Sequence, residues 1–217
     1  MAACVVVALA HPVSAKVFAS QNQALAEAFP EATRIERDTR LLLSREVERF
    51  QAITGEKKPA KLVVLHTAWR DDEILGFAHI DVHNVRTKPE AFMVVLTPEG
   101  VVRSVRILAF HEPLDYLPTD RWYGQFQGKQ NGDTLRIGSD LHGVVGATLS
   151  ARAAADGVRR MLAYYEILLK DEAQAAAAKA ASSATAVASS ATAVASSATA
   201  VASSVDVSGP DGSASEE

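Results

Sequence analysis

The sequence predicts an α+β protein with a mainly antiparallel sheet, N-terminal helices and a long C-terminal helix. Between residues 61 and 110, four segments rich in β-branched and apolar residues follow one another with no helical pattern between them. Consecutive strands joined by short turns are expected to pair antiparallel. Apolar residues at helical spacing occur only before and after this region.

Two helices are predicted before the strands. In the first, Phe18, Leu25 and Phe29 recur on one face, and Pro30 ends the helix. The second begins at Ser44, a candidate N-cap, and ends at Gly55. Its apolar residues at helical spacing are Val47, Phe50 and Ile53. Both helices are expected to cover the core.

The predicted strands are 61–69, 73–85, 91–97 and 101–110. Asp71-Asp72 marks the first turn, and Pro98-Glu99-Gly100 joins the last two strands into a hairpin. A short helical piece is predicted over Asp120–Phe126. The final helix is predicted from an apolar stripe formed by Val158, Met161, Leu162, Tyr165 and Leu169.

Three parts are expected along the 217 residues: a signal peptide over 1–15, a folded domain over 16–181 and a low-complexity tail over 182–217. The run Ala3–Ala10 is apolar, and Val13-Ser14-Ala15 fits a cleavage site. It is too short for a membrane span. No Lys or Arg precedes it, so a buried N-terminal strand is the alternative. Cys4, the single cysteine, lies there, so the remaining chain has no thiol for disulfides or metal clusters.

The tail repeats SSATAVA three times from residue 182 and holds four acidic residues without a Lys or Arg. Its small side chains supply too little apolar volume for a coiled-coil seam, so a flexible linker is expected. The rest of the chain carries 22 basic and 22 acidic residues. With no basic excess, nucleic-acid binding and polybasic membrane binding are not expected.

The segment Gly143–Arg152, GVVGATLSAR, opens the final helix. Gly146 permits a close approach of backbone to a ligand. Thr148 and Ser150 place two hydroxyls at a helix start, where free N–H groups and the helix dipole favour an anion. By local physics alone, one of these hydroxyls could simply cap the helix. Arg152 is near enough to help neutralise a phosphate.

The GATLSAR motif resembles the attachment motif of the FMN-binding domain family, found in Rnf-type and sodium-translocating redox complexes and in extracytoplasmic single-domain relatives. In that family a Ser/Thr-Gly-Ala-Thr-x-Ser/Thr pattern precedes a helix, and a flavin transferase using FAD joins the threonine hydroxyl to the phosphate of FMN. The resemblance implies attachment at Thr148. The other matching motif positions are Gly146, Ala147, Leu149 and Ser150.

The resemblance extends over about residues 60–170, including 85–118 and 121–128. It implies that four residues shape the flavin pocket: Glu112, Pro113, Tyr116 and Trp122. Two positions depart from the family pattern. Val145 stands where the motif has its first Ser/Thr, and His142 stands where an acid is often found six residues before the threonine.

The resemblance thus implies a periplasmic or otherwise extracytoplasmic, possibly membrane-associated FMN protein. Its expected partners are a flavin transferase and membrane or periplasmic redox proteins. No nicotinamide-binding fingerprint is found, so electron transfer is expected rather than turnover of a substrate. The departures at Val145 and His142 leave an alternative open, in which the protein is a sensory or interaction module of the cell envelope that binds FMN non-covalently or not at all.

A second cluster is His79-Ile80-Asp81-Val82-His83. On a strand, His79, Asp81 and His83 share one face, and two imidazoles with a carboxylate are a possible metal set. Strand alternation predicts that the apolar residues point to the core and the polar three to a solvated or pocket-lining face. Among the other arginines of the final helix, Arg159 and Arg160 are expected on a solvated face.

Overall fold

The computed structural model describes residues 16–183. Six strands are present: β1 Lys16–Val17, β2 Arg34–Leu41, β3 Leu62–Arg70, β4 Glu73–Asn84, β5 Pro89–Leu96 and β6 Val102–Phe110. The α-helices are α1 Gln21–Ala28, α2 Ser44–Thr54, α3 Asp120–Tyr123 and α4 Thr148–Tyr164. Single 3₁₀ turns cover Leu114–Tyr116 and Gly124–Phe126, and a π-helical turn covers Tyr165–Leu169. Residues 170–183 are also helical.

The strands form one sheet in the order β1-β6-β5-β4-β3-β2, and every neighbouring pair is antiparallel. The predicted α+β class, with N-terminal helices and a long C-terminal helix, is therefore confirmed. Short turns join β3 through β6, as the sequence indicates. Gly100, at φ +82, allows the tight turn between β5 and β6, where its missing side chain leaves room for the ring of Tyr165.

Helices α2 and α4 cover one face of the sheet. The predicted stripe Val158, Met161, Leu162, Tyr165 and Leu169 is buried, and it packs with the inward residues of β3 to β6. Phe50 of α2 stacks on Tyr164 of α4, with ring centroids 4.9 Å apart. Burial of this many large apolar side chains is the main source of stability for such a domain. It also fixes the position of α4, whose first residues form the candidate site.

Helix α1 covers the other face. Ala24 and Leu25 of α1, with Phe29 just after it, pack on small and medium side chains of the strands, including Ala68 and Met93. Because both faces of the sheet are covered, buried residues occur at successive positions of β5, where 92–96 are all buried.

Two local predictions need correction, and one strand was not predicted. The first helix begins at Gln21, with Ser20 as its N-cap, so Phe18 precedes it. The second helix does begin at Ser44, but the N-cap is Leu43, whose N–H donates to the Glu46 carboxylate. Strand β2, whose charged side chains are exposed, was not predicted from the sequence.

The predicted signal peptide and all but two residues of the predicted tail lie outside the described residues. The chain divides into two units, and the unit that contains the sheet ends at Ala176. Within residues 16–183, no helix has the length and apolar character needed to cross a membrane.

Candidate functional site

The start of α4 presents free backbone donors. Ala147 is the N-cap, and the first intrahelical bond runs from the Ala151 N–H to the Ala147 carbonyl at 2.9 Å. The N–H groups of residues 148–150 therefore have no partner within the helix. Gly146, at φ +83, makes the left-handed turn that leads into the helix, and a Cβ there would contact only the Asp115 carbonyl, at 4.0 Å. The turn leaves open space in front of the helix.

A cavity of about 170 Å³ lies in front of this helix start; we refer to it as the Thr148 cavity. It is lined by Val85, Arg86, Glu112, Tyr116, Gly146, Ala147, Thr148, Leu149 and Ser150. The structure thus brings together the five motif residues with Glu112 and Tyr116 from the segment after β6.

The two hydroxyls of the motif differ in environment. Ser150 is buried, and its Oγ has no hydrogen-bond partner among the described residues. Thr148 is exposed, and its hydroxyl makes one long contact, 3.5 Å, to the Val144 carbonyl. Neither side chain caps the helix, so the simple capping interpretation is wrong. One hydroxyl is accessible to another protein, and the other is an orphaned, buried donor of a residue that lines the cavity.

Glu112 holds the loop that closes the other side of the cavity. Its Oε1 accepts hydrogen bonds from the N–H groups of Thr87, at 2.9 Å, and Lys88, at 3.0 Å. These bonds hold the pKa of the Glu112 carboxyl below its ordinary value, the Thr87 N–H contributing most. The carboxylate is thus engaged by backbone donors, and its role is to fix residues 85–88.

Arg86 belongs to that loop and supplies a positive charge to the cavity. Its guanidinium carbon lies 4.8 Å from the centre of the Tyr116 ring, within cation–π distance. Arg86 was not predicted as a site residue, because a lone arginine in a loop gives no signal in the sequence. The structure brings its side chain to the helix start, where it lines the Thr148 cavity.

Pro113 and Trp122 do not line the cavity directly. Pro113 precedes the 3₁₀ turn Leu114–Tyr116, and its carbonyl accepts a hydrogen bond from the Tyr116 N–H. Pro113 therefore orients Tyr116, which does line the cavity. Trp122 is buried, and its indole N–H donates to the His142 carbonyl at 2.7 Å, holding the segment before the motif. Val145 is fully exposed, at 102%.

These groups fit the phosphate end of a flavin mononucleotide. The cavity combines three free N–H groups at a helix start, one arginine and one buried hydroxyl without a partner. These groups are donors or positive charges, which is what an oxyanion requires, and the one carboxylate of the lining, Glu112, is engaged by the Thr87 and Lys88 N–H groups. Its volume is below the 300–1,000 Å³ typical of whole-ligand pockets. The flavin ring would therefore lie beyond the cavity.

A second polar cluster lies under α4. The Asp81 carboxylate accepts from Arg160 at 2.7 Å and pairs with His83 at 2.9 Å. These partners outweigh burial and lower the pKa of Asp81 to about 2. The expectation of a solvated face is therefore wrong for Asp81, which is buried; Val82, expected in the core, is 66% exposed. Arg160 is also not on a solvated face, because its hydrogen bond to Asp81 holds it against the sheet.

His79, Asp81 and His83 do line a cavity, which was the other expectation for them. The Nδ1 atom of His79 lies 2.8 Å from the Val64 carbonyl, to which it donates, so this nitrogen is already engaged. Within residues 16–183, no group of three or more His, Cys, Asp or Glu side chains is arranged to hold a metal ion.

Deeper in the same cluster lies Glu90, which is fully buried. Tyr123 donates to its Oε1 at 3.4 Å, while its Oε2 lies 3.9 Å from Nε2 of His83, too far for a hydrogen bond. Burial raises the pKa of Glu90 to about 7. A carboxyl in this environment holds its proton close to neutral pH. Glu90 was not singled out from the sequence, because the predicted strand begins at residue 91 and leaves Glu90 in the preceding turn, whereas β5 begins at Pro89.

Comparison with known proteins gives a distant similarity. No family model matches the sequence. The chain is 23% identical over 144 residues to a subunit of the Na⁺-translocating ferredoxin:NAD⁺ oxidoreductase complex of Acetobacterium woodii. The alignment covers 58% of this chain and 67% of the relative. The chain is therefore distantly similar to a component of a redox complex.

Proposed function

We propose that this chain is an extracytoplasmic FMN-binding electron-transfer protein whose flavin is attached through a phosphoester to Thr148. The observation that carries the proposal is the buried, unpartnered hydroxyl of Ser150, a residue that lines the Thr148 cavity. A buried polar group without a partner costs about 1–3 kcal/mol, so its presence calls for a ligand oxygen or water. The motif resemblance and the similarity to a component of a redox complex support a flavin phosphate as that ligand.

Each residue of the cavity has a distinct part in this proposal. The N–H groups of residues 148–150 and the Ser150 hydroxyl donate to phosphate oxygens. Arg86 neutralises charge from the opposite wall, and Tyr116 holds its guanidinium in place. Glu112 keeps the Arg86 loop ordered through the Thr87 and Lys88 N–H groups. Donors from both walls of the cavity thereby orient the phosphate.

The exposed hydroxyl of Thr148 is suited to the attachment step. A transferase would have to reach this oxygen and remove its proton while the bond to the FMN phosphorus forms and the pyrophosphate bond of FAD breaks, with AMP as the leaving group. The only contact of Thr148 Oγ1 among the described residues is the long one to the Val144 carbonyl, so little has to be broken. Relative to free FMN, the product has lost one water. Attachment retains the cofactor where no pool replaces it, in keeping with a protein located outside the cytoplasm.

The flavin ring, lying beyond the cavity, would meet exposed apolar side chains near the helix start. Leu149 is 45% exposed and Leu114, beside Tyr116, is 50% exposed. The flavin supplies one- and two-electron redox chemistry. An exposed ring edge suits exchange of electrons with membrane or periplasmic redox proteins, which are the partners we propose. The part before residue 16 is proposed to direct export.

One observation favours a second candidate. Val145 occupies the first Ser/Thr position of the motif and is fully exposed, where a transferase would have to recognise it. In the alternative, the cavity binds FMN non-covalently, or holds no flavin and the protein acts as an envelope interaction module.

The phosphate site can be tested apart from attachment. The full chain, produced without a flavin transferase, is titrated with FMN and with riboflavin, which lacks the phosphate. We expect FMN to bind and riboflavin to bind at least about tenfold more weakly, since hydrogen bonds to a charged group contribute about 1.5 kcal/mol or more. Equal affinities for FMN and riboflavin would contradict a phosphate site, and no binding of either would favour the cofactor-free alternative.

A further inference from the structure

The sheet is split between β3 and β4. Strand β3 pairs with β2 along its whole length, from Leu62 to Trp69. Its pairing with β4 covers only the other half, from Arg70↔Glu73 to His66↔Ala78. Beyond that point β4 continues to Asn84 and pairs with β5 alone. Among residues 16–183, the facing edges of 62–65 and 79–84 therefore pair with no strand.

A side chain holds the split open at its base. The imidazole of His79 binds the Val64 carbonyl through Nδ1, at 2.8 Å. This contact occupies a backbone acceptor at the point where the ladder between the two strands ends. His79 is itself held edge-on against the ring of Tyr164, with centroids 5.3 Å apart. The separation of the strands is thus built into the packing of α4 against the sheet.

The gap between the two edges is a cavity of about 390 Å³, which we call the β3–β4 slot. Its walls are Glu56, Ala60, Leu62, Val63, Val64, His79, Ile80, Asp81, Val82, His83, Arg160 and Tyr164. Two unpaired strand edges facing one another present backbone N–H and C=O groups on both sides. Such edges pair readily with an added strand, and folded proteins usually block them.

The outer rim of the slot is apolar. Val63 packs into the core beneath α4, so alternation places its neighbour Leu62 on the opposite face of the sheet. In the same way, Val82 lies on the face opposite to its neighbour Asp81. Leu62 is 62% exposed and Val82 is 66% exposed, and Leu41, the partner of Leu62 in β2, is also exposed. Exposed apolar side chains on both rims would pack against an apolar side chain between them.

A basic loop lies beside the slot. Lys57, Lys58 and Lys61 are exposed and alternate with the lining residues Glu56 and Ala60 in sequence. None of the three lysines forms an ion pair within the described part of the chain. Their uncompensated charge would attract acidic side chains and would speed the encounter with them.

We propose that the β3–β4 slot binds an extended, acidic segment of a partner protein by strand addition. The partner's backbone pairs with the groups of the β3 and β4 edges that remain free, which do not include the Val64 carbonyl bound by His79. Its outward side chains are apolar, against Leu62 and Val82, and an acidic residue at one end meets the lysine loop. Because Asp81 already neutralises Arg160, the inward side chains are small and uncharged, such as serine or threonine. This inference does not depend on the flavin.

The test uses the intact chain and a displayed library of random nine-residue peptides. Selected peptides are synthesised, and their affinity is measured by fluorescence anisotropy. We expect alternating apolar and small polar residues, an acidic end and no central proline. Hydrogen exchange then locates the bound peptide, and new protection is expected at those backbone amides within 62–65 and 79–84 that do not already pair with β2 or β5.

Matched surface variants separate the slot from other surfaces. Val82→Asp should weaken peptide binding by about tenfold or more, because it places a charge on the apolar rim. Val17→Asp, at a position of β1 that is 68% exposed and does not line the slot, should leave affinity unchanged. Lys57→Glu with Lys58→Glu should weaken binding by about tenfold at low salt and less at high salt, whereas Arg121→Glu should not.

Three results would overturn the proposal. One is a selection that yields no peptide sensitive to Val82→Asp. Another is protection of amides away from the two free edges. The third is a dimer in sedimentation experiments that Val82→Asp dissociates, since a second copy of this chain would then be the occupant of the slot. All variants are at exposed positions, so folding can be verified beforehand by circular dichroism.

Discussion

Replacing Glu90 by glutamine should change how the stability of this protein depends on pH. Glu90 is fully buried, one of its oxygens has no partner among the described residues, and its pKa is raised from 4.5 to about 7. Between these pH values the folded protein keeps a proton that the unfolded chain has lost. Stability from this group is therefore complete below pH 4.5 and is lost as the pH rises towards 7.

The size of the effect follows from the two pKa values. Raising the pKa from 4.5 to about 7 corresponds to about 3 kcal/mol in the free energy of unfolding, since each pH unit between them contributes about 1.36 kcal/mol. Glutamine has nearly the same shape and does not titrate. We expect the Glu90→Gln variant to have the same free energy of unfolding as the unchanged protein near pH 4.5. At pH 8 we expect it to be more stable than the unchanged protein by up to about 3 kcal/mol.

The measurement is urea unfolding of the flavin-free protein, followed by tryptophan fluorescence at several pH values from 4.5 to 8. His66 and His79 oppose the trend, because burial lowers the pKa of each and their contribution to stability increases as the pH rises towards 6.5. Subtracting the curve of the Glu90→Gln variant cancels their contribution. A difference between the two proteins that does not vary with pH would refute the reasoning.

Three further substitutions have defined outcomes. Ser150→Ala should leave the flavin-free protein as stable or up to about 1 kcal/mol more stable, because an unpartnered hydroxyl is removed, yet weaken FMN binding about tenfold in a titration. Arg86→Gln should weaken FMN binding about fivefold and reduce its salt dependence, with riboflavin unaffected. Gly157→Ala should lower the free energy of unfolding by about 3 kcal/mol, since a Cβ would lie 2.2 Å from the Phe92 ring; Gly124→Ala, with nothing within 4 Å, is the control in the same urea assay.

The predictable part of the fold consists of elements whose burial pattern is simple. The last helix has a continuous apolar stripe, and the hairpin of β5 and β6 has a marked turn, so periodicity located both. Strand β2 was missed because its sequence, RIERDTRL, is mostly charged. It is an edge strand that pairs only with β3, and charged side chains at an edge protect it from unwanted pairing rather than build a core.

Alternation failed in β4 for a tertiary reason. It correctly places His79, Asp81 and His83 on one face, but which face is buried depends on where helices pack. Helix α4 covers the polar residues, and α1 does not extend far enough to cover Val82. Arg160, 79 positions away, makes burial of Asp81 possible, and no local pattern reveals that pairing.

For the candidate site, the motif located the helix start and the structure added what a motif cannot contain. Burial of Ser150 without a partner and the exposure of Thr148 distinguish the two hydroxyls, which look equivalent in sequence. Arg86 lines the cavity on a loop that Glu112 holds through the Thr87 and Lys88 N–H groups. Such long-range positioning depends on the whole fold.

The central claim, attachment of FMN at Thr148, is tested most directly by intact mass. The full chain is expressed together with a flavin transferase whose activity is verified on a control substrate, and its mass is recorded after denaturation. We predict an increment of FMN minus water that is absent from Thr148→Ala and from Thr148→Val, which keeps the shape of threonine without its hydroxyl. An unmodified mass for the unchanged chain, or an increment that persists in these variants, would contradict the claim.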